Sequence, residues 1–194
     1  MKFNKSIIAG ICIALFSVVS ISLSAQKTTS KVDTKSSFID WKGKKVVGSH
    51  EGTIKLRGGE LMFTAGKLTG GTFTIDMKSM ENTDMTGGGA KKLMGHLHSD
   101  DFFGTENHPT SKFTITQVTS TDAGYNVTGD LTIKGITKPV SFSATAGQYL
   151  ANADITVDRT AYGIKYGSGS FFDNLGDKAI DNDFTLKVNL VLVN

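Results

Sequence analysis

The sequence predicts an all-β protein: a closed antiparallel barrel of about eight strands with a short helical insertion at one mouth. Three observations carry this expectation. Apolar and polar residues alternate with a period of two through most of the chain, which is the mark of half-buried strands. Short turns containing Gly or Asn separate many of these stretches. Only one segment, Ala90 to Leu97, carries helical spacing, with Leu93 and Leu97 four apart among Lys91, Lys92 and His96.

The alternation can be followed strand by strand. Ile39 and Trp41 alternate with Asp40 and Lys42, and then Gly52, Ile54 and Leu56 oppose Glu51, Thr53 and Lys55. Gly58-Gly59 is expected to turn the chain. Phe73, Ile75 and Met77 share the next apolar face, followed by a polar, Gly-rich loop over Met80 to Gly89. After the helix and the run Asp100-Asp101-Phe102-Phe103, which is placed across one mouth, the pattern resumes. Phe113 and Ile115, then Val127, Leu131 and Ile133, then Val140 and Phe142, then Ile155 and Val157 each mark one face of a strand. Phe184, Leu186, Val188, Leu190 and Leu192 mark the last and longest. A single sheet buries so many one-sided apolar faces only by closing on itself or by packing on a second sheet. Closure also removes the exposed edges, so a barrel is preferred to a sandwich.

The ends and the composition narrow the class. Lys2 and Lys5 precede an apolar core from Ile7 to Val19, and the small residues ending at Ala25 complete the pattern of a secretory signal. Residues 1–25 are thus expected to be removed, 26–35 to form a flexible lead-in, and 36–194 to form the barrel domain. The apolar run is shorter than the ~20 residues of a bilayer span, so no integral membrane segment is expected in the mature protein. Removal of Lys2 and Lys5 leaves 19 basic against 18 acidic residues, a formal +1, with no clustered basic stripe to bind nucleic acid. Cys12 is the only cysteine, so the mature chain has no disulfide framework and no thiolate chemistry. A periplasmic or secreted location follows from the signal.

Chemistry-bearing patterns are few. There is no G-x-S-x-G elbow, no H-E-x-x-H and no Gly-rich phosphate loop, so an enzyme is not expected, nor any cofactor beyond a bound lipid. His96 and His98 form an H-x-H pair with Asp100, Asp101 and His108 nearby, which makes a His-cluster metal protein an alternative. The pair straddles a helix end, where positions two apart do not share a face. An eight-stranded barrel can be filled by its side chains or hold one small ligand, and a structural barrel with a filled core is the other alternative. Gly52, Gly71, Gly129, Ala144, Ala146 and Ala153 fall on the inward face, where small residues would leave room for an elongated apolar cavity.

Three motifs in order add a resemblance. They are the run from His96 to Ile115 (HLHSDDFFGTENHPTSKFTI), the hairpin from Gly129 to Phe142 (GDLTIKGITKPVSF), and the turn from Ile155 to Ile164 (ITVDRTAYGI). From about Val32 to Val193 the chain resembles the YceI-like, polyisoprenoid-binding, lipocalin-like proteins of bacteria. It departs from their pattern at Gly104, where an acidic residue usually follows Phe-Phe. The resemblance implies a lumen holding a polyisoprenoid lipid or isoprenoid quinone, for transport, storage or sequestration; a homodimer is compatible with this expectation. The expected lipid-lining residues are Ile54, Phe73, Ile75, Phe113, Ile115, Leu131, Ile133, Val140 and Phe142, with Phe102 and Phe103 closing the mouth. His50 and Arg159 are the expected head-group partners, because each abuts an apolar strand and can donate to an oxygen.

Overall fold

The computed structural model describes residues 25–193; the expected signal segment lies outside the described residues but for Ala25. Nine strands are described: β1 (Lys27–Val32), β2 (Phe38–Lys45), β3 (Ser49–Thr64), β4 (Lys67–Asn82), β5 (Thr110–Thr121), β6 (Gly124–Ile133), β7 (Ile136–Ala146), β8 (Leu150–Asp158) and β9 (Ile180–Val193). One α-helix, α1 (Gly87–His98), links β4 to β5. The strands follow one another antiparallel in the order β3-β2-β9-β8-β7-β6-β5-β4, and pairing of β4 with β3 closes the ring. This closed eight-stranded barrel excludes the sandwich.

The ninth strand lies outside the eight. β1 pairs with the far half of β3, from Lys27 opposite Thr64 to Lys31 opposite Glu60, and touches the end of β9 at Leu192 and Val193. The flexible lead-in expected over residues 26–35 is instead a strand over Lys27–Val32. Its residues Lys-Thr-Thr-Ser-Lys-Val show no apolar alternation, so the signal was missing. The backbone ladder to β3 orders it, and Ser30 and Val32 are buried beneath it.

Two tight hairpins set the register of the barrel. Ala65-Gly66 joins β3 to β4, and Lys134-Gly135 joins β6 to β7, with all four residues at positive φ between 49° and 76°. Paired positive φ values define the type I′ turn, whose twist matches that of the strands it joins. The expected turn at Gly58-Gly59 does not exist. β3 runs straight through it, and the ladder to β4 slips its register between Leu56 and Gly58. The glycine there serves a close approach, since a Cβ on Gly59 would lie 2.5 Å from a Phe73 ring carbon. β4 likewise extends to Asn82, through residues expected to form a loop.

The helix is longer than its spacing indicated, because Gly87-Gly88-Gly89 opens it rather than preceding it. Leu97 is buried and Leu93 and Met94 half-buried against the core, and this packing holds glycines that propensity disfavours. The chain then folds back under the helix end, with Phe103 N–H donating to Leu97 C=O (3.1 Å) and Thr105 N–H to His98 C=O (3.0 Å). Gly104 sits at φ +55°, which an acidic side chain would strain.

At the end of the barrel away from α1, Leu61, Phe63, Leu68, Val127, Leu190 and Leu192 are buried. Midway along the barrel the inward residues Phe113, Ile115, Val140, Phe142, Leu186 and Val188 are only partly buried. They pack on the core and also border a space.

Candidate functional site: an apolar lumen in two chambers

The space is two adjoining cavities. The first, about 110 Å³, lies within the wall formed by β2 to β9 and is lined by apolar side chains, with Thr145 and Asn152 the sole polar exceptions. The second, about 250 Å³, lies between the strand ends and α1. Ile39, Ile75, Leu131 and Leu186 line both, so the chambers share a waist. Together they reach the lower end of the ~300–1,000 Å³ typical of small-molecule sites.

Every residue singled out in the sequence as a lipid contact lines one chamber or the other. Phe73, Phe113, Ile115, Val140 and Phe142 line the inner chamber, Ile75 and Leu131 the waist, and Ile54, Ile133, Phe102 and Phe103 the outer chamber. The aromatic rings form a chain through the interior. Phe113 packs on Phe73 at 6.4 Å and on Phe142 at 5.5 Å between centroids. Near α1, Phe103 meets Phe102 at 5.7 Å and Phe184 at 6.1 Å, edge to face.

The inward small residues divide into two groups. Ala144, Ala146 and Ala153 do line the inner chamber and leave it open. Gly52, Gly71 and Gly129 do not open volume as expected, because neighbours occupy the place of their missing Cβ atoms. A Cβ on Gly71 would lie 2.8 Å from a Leu61 methyl and 2.7 Å from the Glu60 carbonyl oxygen, and one on Gly129 would collide with the Phe113 ring and lie 2.6 Å from the Thr114 carbonyl oxygen. Gly52 is overlain by the Trp41 ring and the Glu81 carbonyl.

Both expected head-group residues border the outer chamber, and both are held by the protein. Arg159 opens a 3-10 turn (Arg159–Tyr162) and is buried. Its guanidinium donates to the carbonyl oxygens of Ile164 (2.7 Å), Asp181 (2.9 Å) and Ile180 (3.0 Å) and lies 5.4 Å from the Phe102 ring centre. Burial lowers its pKa, partly offset by Asp158 and Asp181. The sequence placed this arginine at the site, but its binding to the chain's own carbonyls shows only in three dimensions. His50 is tied through Nδ1 to Asp84 at 3.0 Å. Partial burial pushes the Asp84 carboxyl up, but hydrogen bonds from His50, the Glu51 amide and Asn82 outweigh it and hold the pKa at about 2.

Other lining residues were not singled out beforehand. Trp41, Met77, Met80, Leu93, His96, Leu97 and Phe184 complete the outer chamber. Trp41, Met77 and Phe184 lie on alternating faces already read as apolar. Leu93, His96 and Leu97 arrive with the helix, whose docking no periodicity reveals. His96 and His98 diverge as the helix geometry required. His98 Nδ1 lies 2.9 Å from the Thr105 hydroxyl, whereas the His96 ring borders the chamber. Among the described residues no cluster of three or more His, Cys, Asp or Glu is placed to hold a metal, and no helix is long and apolar enough to cross a membrane.

The family model of the YceI-like domain matches residues 31–192. The chain belongs to the YceI-like family. A UPF0312 protein of Pseudomonas putida is 33% identical over 140 residues, which is 66% of this chain and 71% of that one. Among solved structures, Burkholderia cenocepacia BcnA aligns with a TM-score of 0.62 at 23% identity, covering 82% of this chain and 98% of its own. A polyisoprenoid binding domain from Saccharophagus degradans aligns at 0.57 and 15% identity, covering 85% and 97%. At these identities the two structures establish a shared fold. Within the YceI-like family this chain therefore offers a closed barrel with an apolar, two-chambered interior.

Proposed function

We propose that this protein is an exported YceI-like lipid binder that holds a polyisoprenoid, isoprenoid quinone or similar long amphiphile in the barrel lumen, without chemical turnover. Transport, storage and sequestration all use this same act of burial. The observation that carries the reading is the chamber pair itself: inward Phe, Ile, Val and Leu side chains left half-buried around two adjoining, largely apolar chambers. Apolar surface left accessible inside a folded barrel is favourable only when something apolar covers it, at ~25 cal/mol per Å² before the costs of binding. The name of the Saccharophagus degradans domain, polyisoprenoid binding, supports the choice of ligand class. The pattern of Lys2, Lys5 and the apolar core to Val19 supports export.

Native mass spectrometry with organic extraction tests this directly. The full chain, expressed in a Gram-negative host and recovered from the periplasm, is expected to begin at Gln26 and to carry one lipid per barrel. A protein that is lipid-free and also refuses added isoprenoid quinones and prenyl phosphates overturns the proposal.

A further inference from the structure

The wall of the barrel is not sealed equally all the way round. β7 keeps nine registered pairs with β6, and β8 keeps nine with β9, so both continue as strands along their length. Their mutual ladder stops after three, at Ala144 opposite Ala153. Among the described residues, Thr137 to Ser143 and Asp154 to Asp158 have no registered partner across this seam. Gly147 N–H donates to Leu150 C=O at 2.9 Å. Backbone groups of alternate residues point to the same side of a strand, so those of Ser143, Ser141 and Pro139 also point towards β8. Pro139 brings no N–H to that side. Proline within a sheet belongs on an edge, and here it stands where a ladder bond to β8 would otherwise form. Near α1 the seam is closed by the 3-10 turn after β8, which returns against β7. A Cβ on Gly163 would lie 3.5 Å from Ile136 Cδ1, and Tyr162 and Ile164 are buried.

The inner chamber reaches this seam. Val140 and Phe142 on one edge and Ile155 on the other line it and are half-buried. Thr145 and Asn152, registered partners where the ladder ends, line it too, although both are exposed. A residue exposed on the outside of a barrel borders its lumen only where the wall is thin or open. The other ways in are less favourable. The barrel end away from α1 is closed by buried Leu61, Phe63, Leu190 and Leu192. The rim of the outer chamber carries exposed Lys44, Lys45, Asp181 and Asp183, and an apolar chain crossing it would strip water from charges. Pro139, Ser141 and Thr156, midway along the seam, carry no charge.

We propose that the β7–β8 seam is a lateral portal, through which the apolar chain of the ligand slides into and out of the inner chamber. This rests on the lumen-binding reading above. Elsewhere in the wall, passage between two strands would break ladder bonds and leave their groups unpaired among apolar side chains, which is costly. At the seam the ladder has already ended, so opening asks only that Val140, Phe142 and Ile155 move aside. The chain enters tail first and the polar head need never cross the lumen. The portal therefore suits amphiphiles with one long apolar chain, whatever the size of the head.

Cys12 lies in the segment expected to be removed, so a cysteine introduced at Thr156 is the only thiol of the mature chain. A long polyethylene glycol attached there by maleimide chemistry covers the seam. The same label on Lys44→Cys covers the rim of the outer chamber. Trp41, the only tryptophan of the chain, lines that chamber and is quenched by a bound isoprenoid quinone, so stopped-flow fluorescence gives both rates. The label on Thr156→Cys is expected to slow association and dissociation alike, by about 10-fold or more, with Kd unchanged. Obstructing a path raises the barrier in both directions and leaves the end states alone. The label on Lys44→Cys is expected to change neither rate. Ser141→Cys, on the facing edge, is expected to behave as Thr156→Cys and replaces it should that variant fail to fold.

No slowing at either seam site, or equal slowing by the Lys44 label, overturns the portal and leaves the lipid-binding lumen standing. So does a raised Kd with an unchanged association rate, which would make the seam a contact and not a path. Wild-type protein that takes up no quinone overturns both.

Discussion

Replacing Ala153 with Leu distinguishes an open lumen from a filled core by the sign of its effect. Ala153 lies on β8, in register with Ala144 of β7 on one side and Val188 of β9 on the other, and all three line the inner chamber. The substitution adds three carbon atoms pointing into a cavity of about 110 Å³. In a close-packed interior, added carbons force side chains off their rotamers and cost ~1–3 kcal/mol. In an open apolar chamber they remove surface from water at ~0.8 kcal/mol per group, so the lipid-free protein gains up to ~2 kcal/mol. With a urea slope of about 2 kcal/mol per molar, that gain moves the unfolding midpoint up by ~1 M. The assay is urea unfolding of delipidated wild type and variant, followed by titration with an isoprenoid quinone. The expected pair of results is higher stability and weaker binding. A variant that is destabilised by 1 kcal/mol or more refutes the reading that these half-buried side chains border open space.

Four further outcomes follow from the same geometry. Arg159→Lys keeps the charge but loses the planar fork that satisfies three carbonyls, and should destabilise the barrel by ~3 kcal/mol or more in denaturant titrations. Gly129→Ala drives a methyl against the Phe113 ring and the Thr114 carbonyl, so it should cost ~1–3 kcal/mol and also weaken lipid binding by displacing Phe113 into the lumen. Asp84 titrates at about 2 in the folded protein against an ordinary 3.8, so its cluster with His50 adds stability that is complete above pH 4 and lost as the pH falls towards 2. Unfolding midpoints measured from pH 5 to 2 should show that slope in wild type and lack it in Asp84→Asn. Finally, β7 and β8 share only three registered pairs, at Ala144–Ala146 with Ala151–Ala153. Amides of Ile155 to Asp158 and Val140 to Ser143 that point into the diverging seam should exchange with deuterium faster than those of β3 and β4.

The inward face was legible because period two fixes it. Once Phe73 and Ile75, Phe113 and Ile115, Leu131 and Ile133, and Val140 and Phe142 are assigned to one side of their strands, closing the sheet brings them together. The seat of Arg159 was legible as a place and not as a role, since its partners are backbone carbonyls contributed by segments up to 22 residues away. Strand β1 was invisible because its pairing is made by the backbone and its side chains, Val32 apart, are polar. The glycines misled for a related reason. An inward Gly in the sequence looks like empty space, but Gly71 and Gly129 mark places where a neighbour already presses on the strand. His96 could be placed at the outer chamber only after the helix was docked, since no periodicity in the sequence reveals that packing.

Lipid binding requires a long apolar ligand to enter the lumen, and methyl NMR of the delipidated protein titrated with an isoprenoid quinone tests this most directly. Shifts concentrated at Ile75, Ile115, Leu131, Val140 and Leu186, which line the chambers, are the predicted result. Shifts confined to exposed methyls such as Val46 and Val47, or none at saturating quinone, would contradict it.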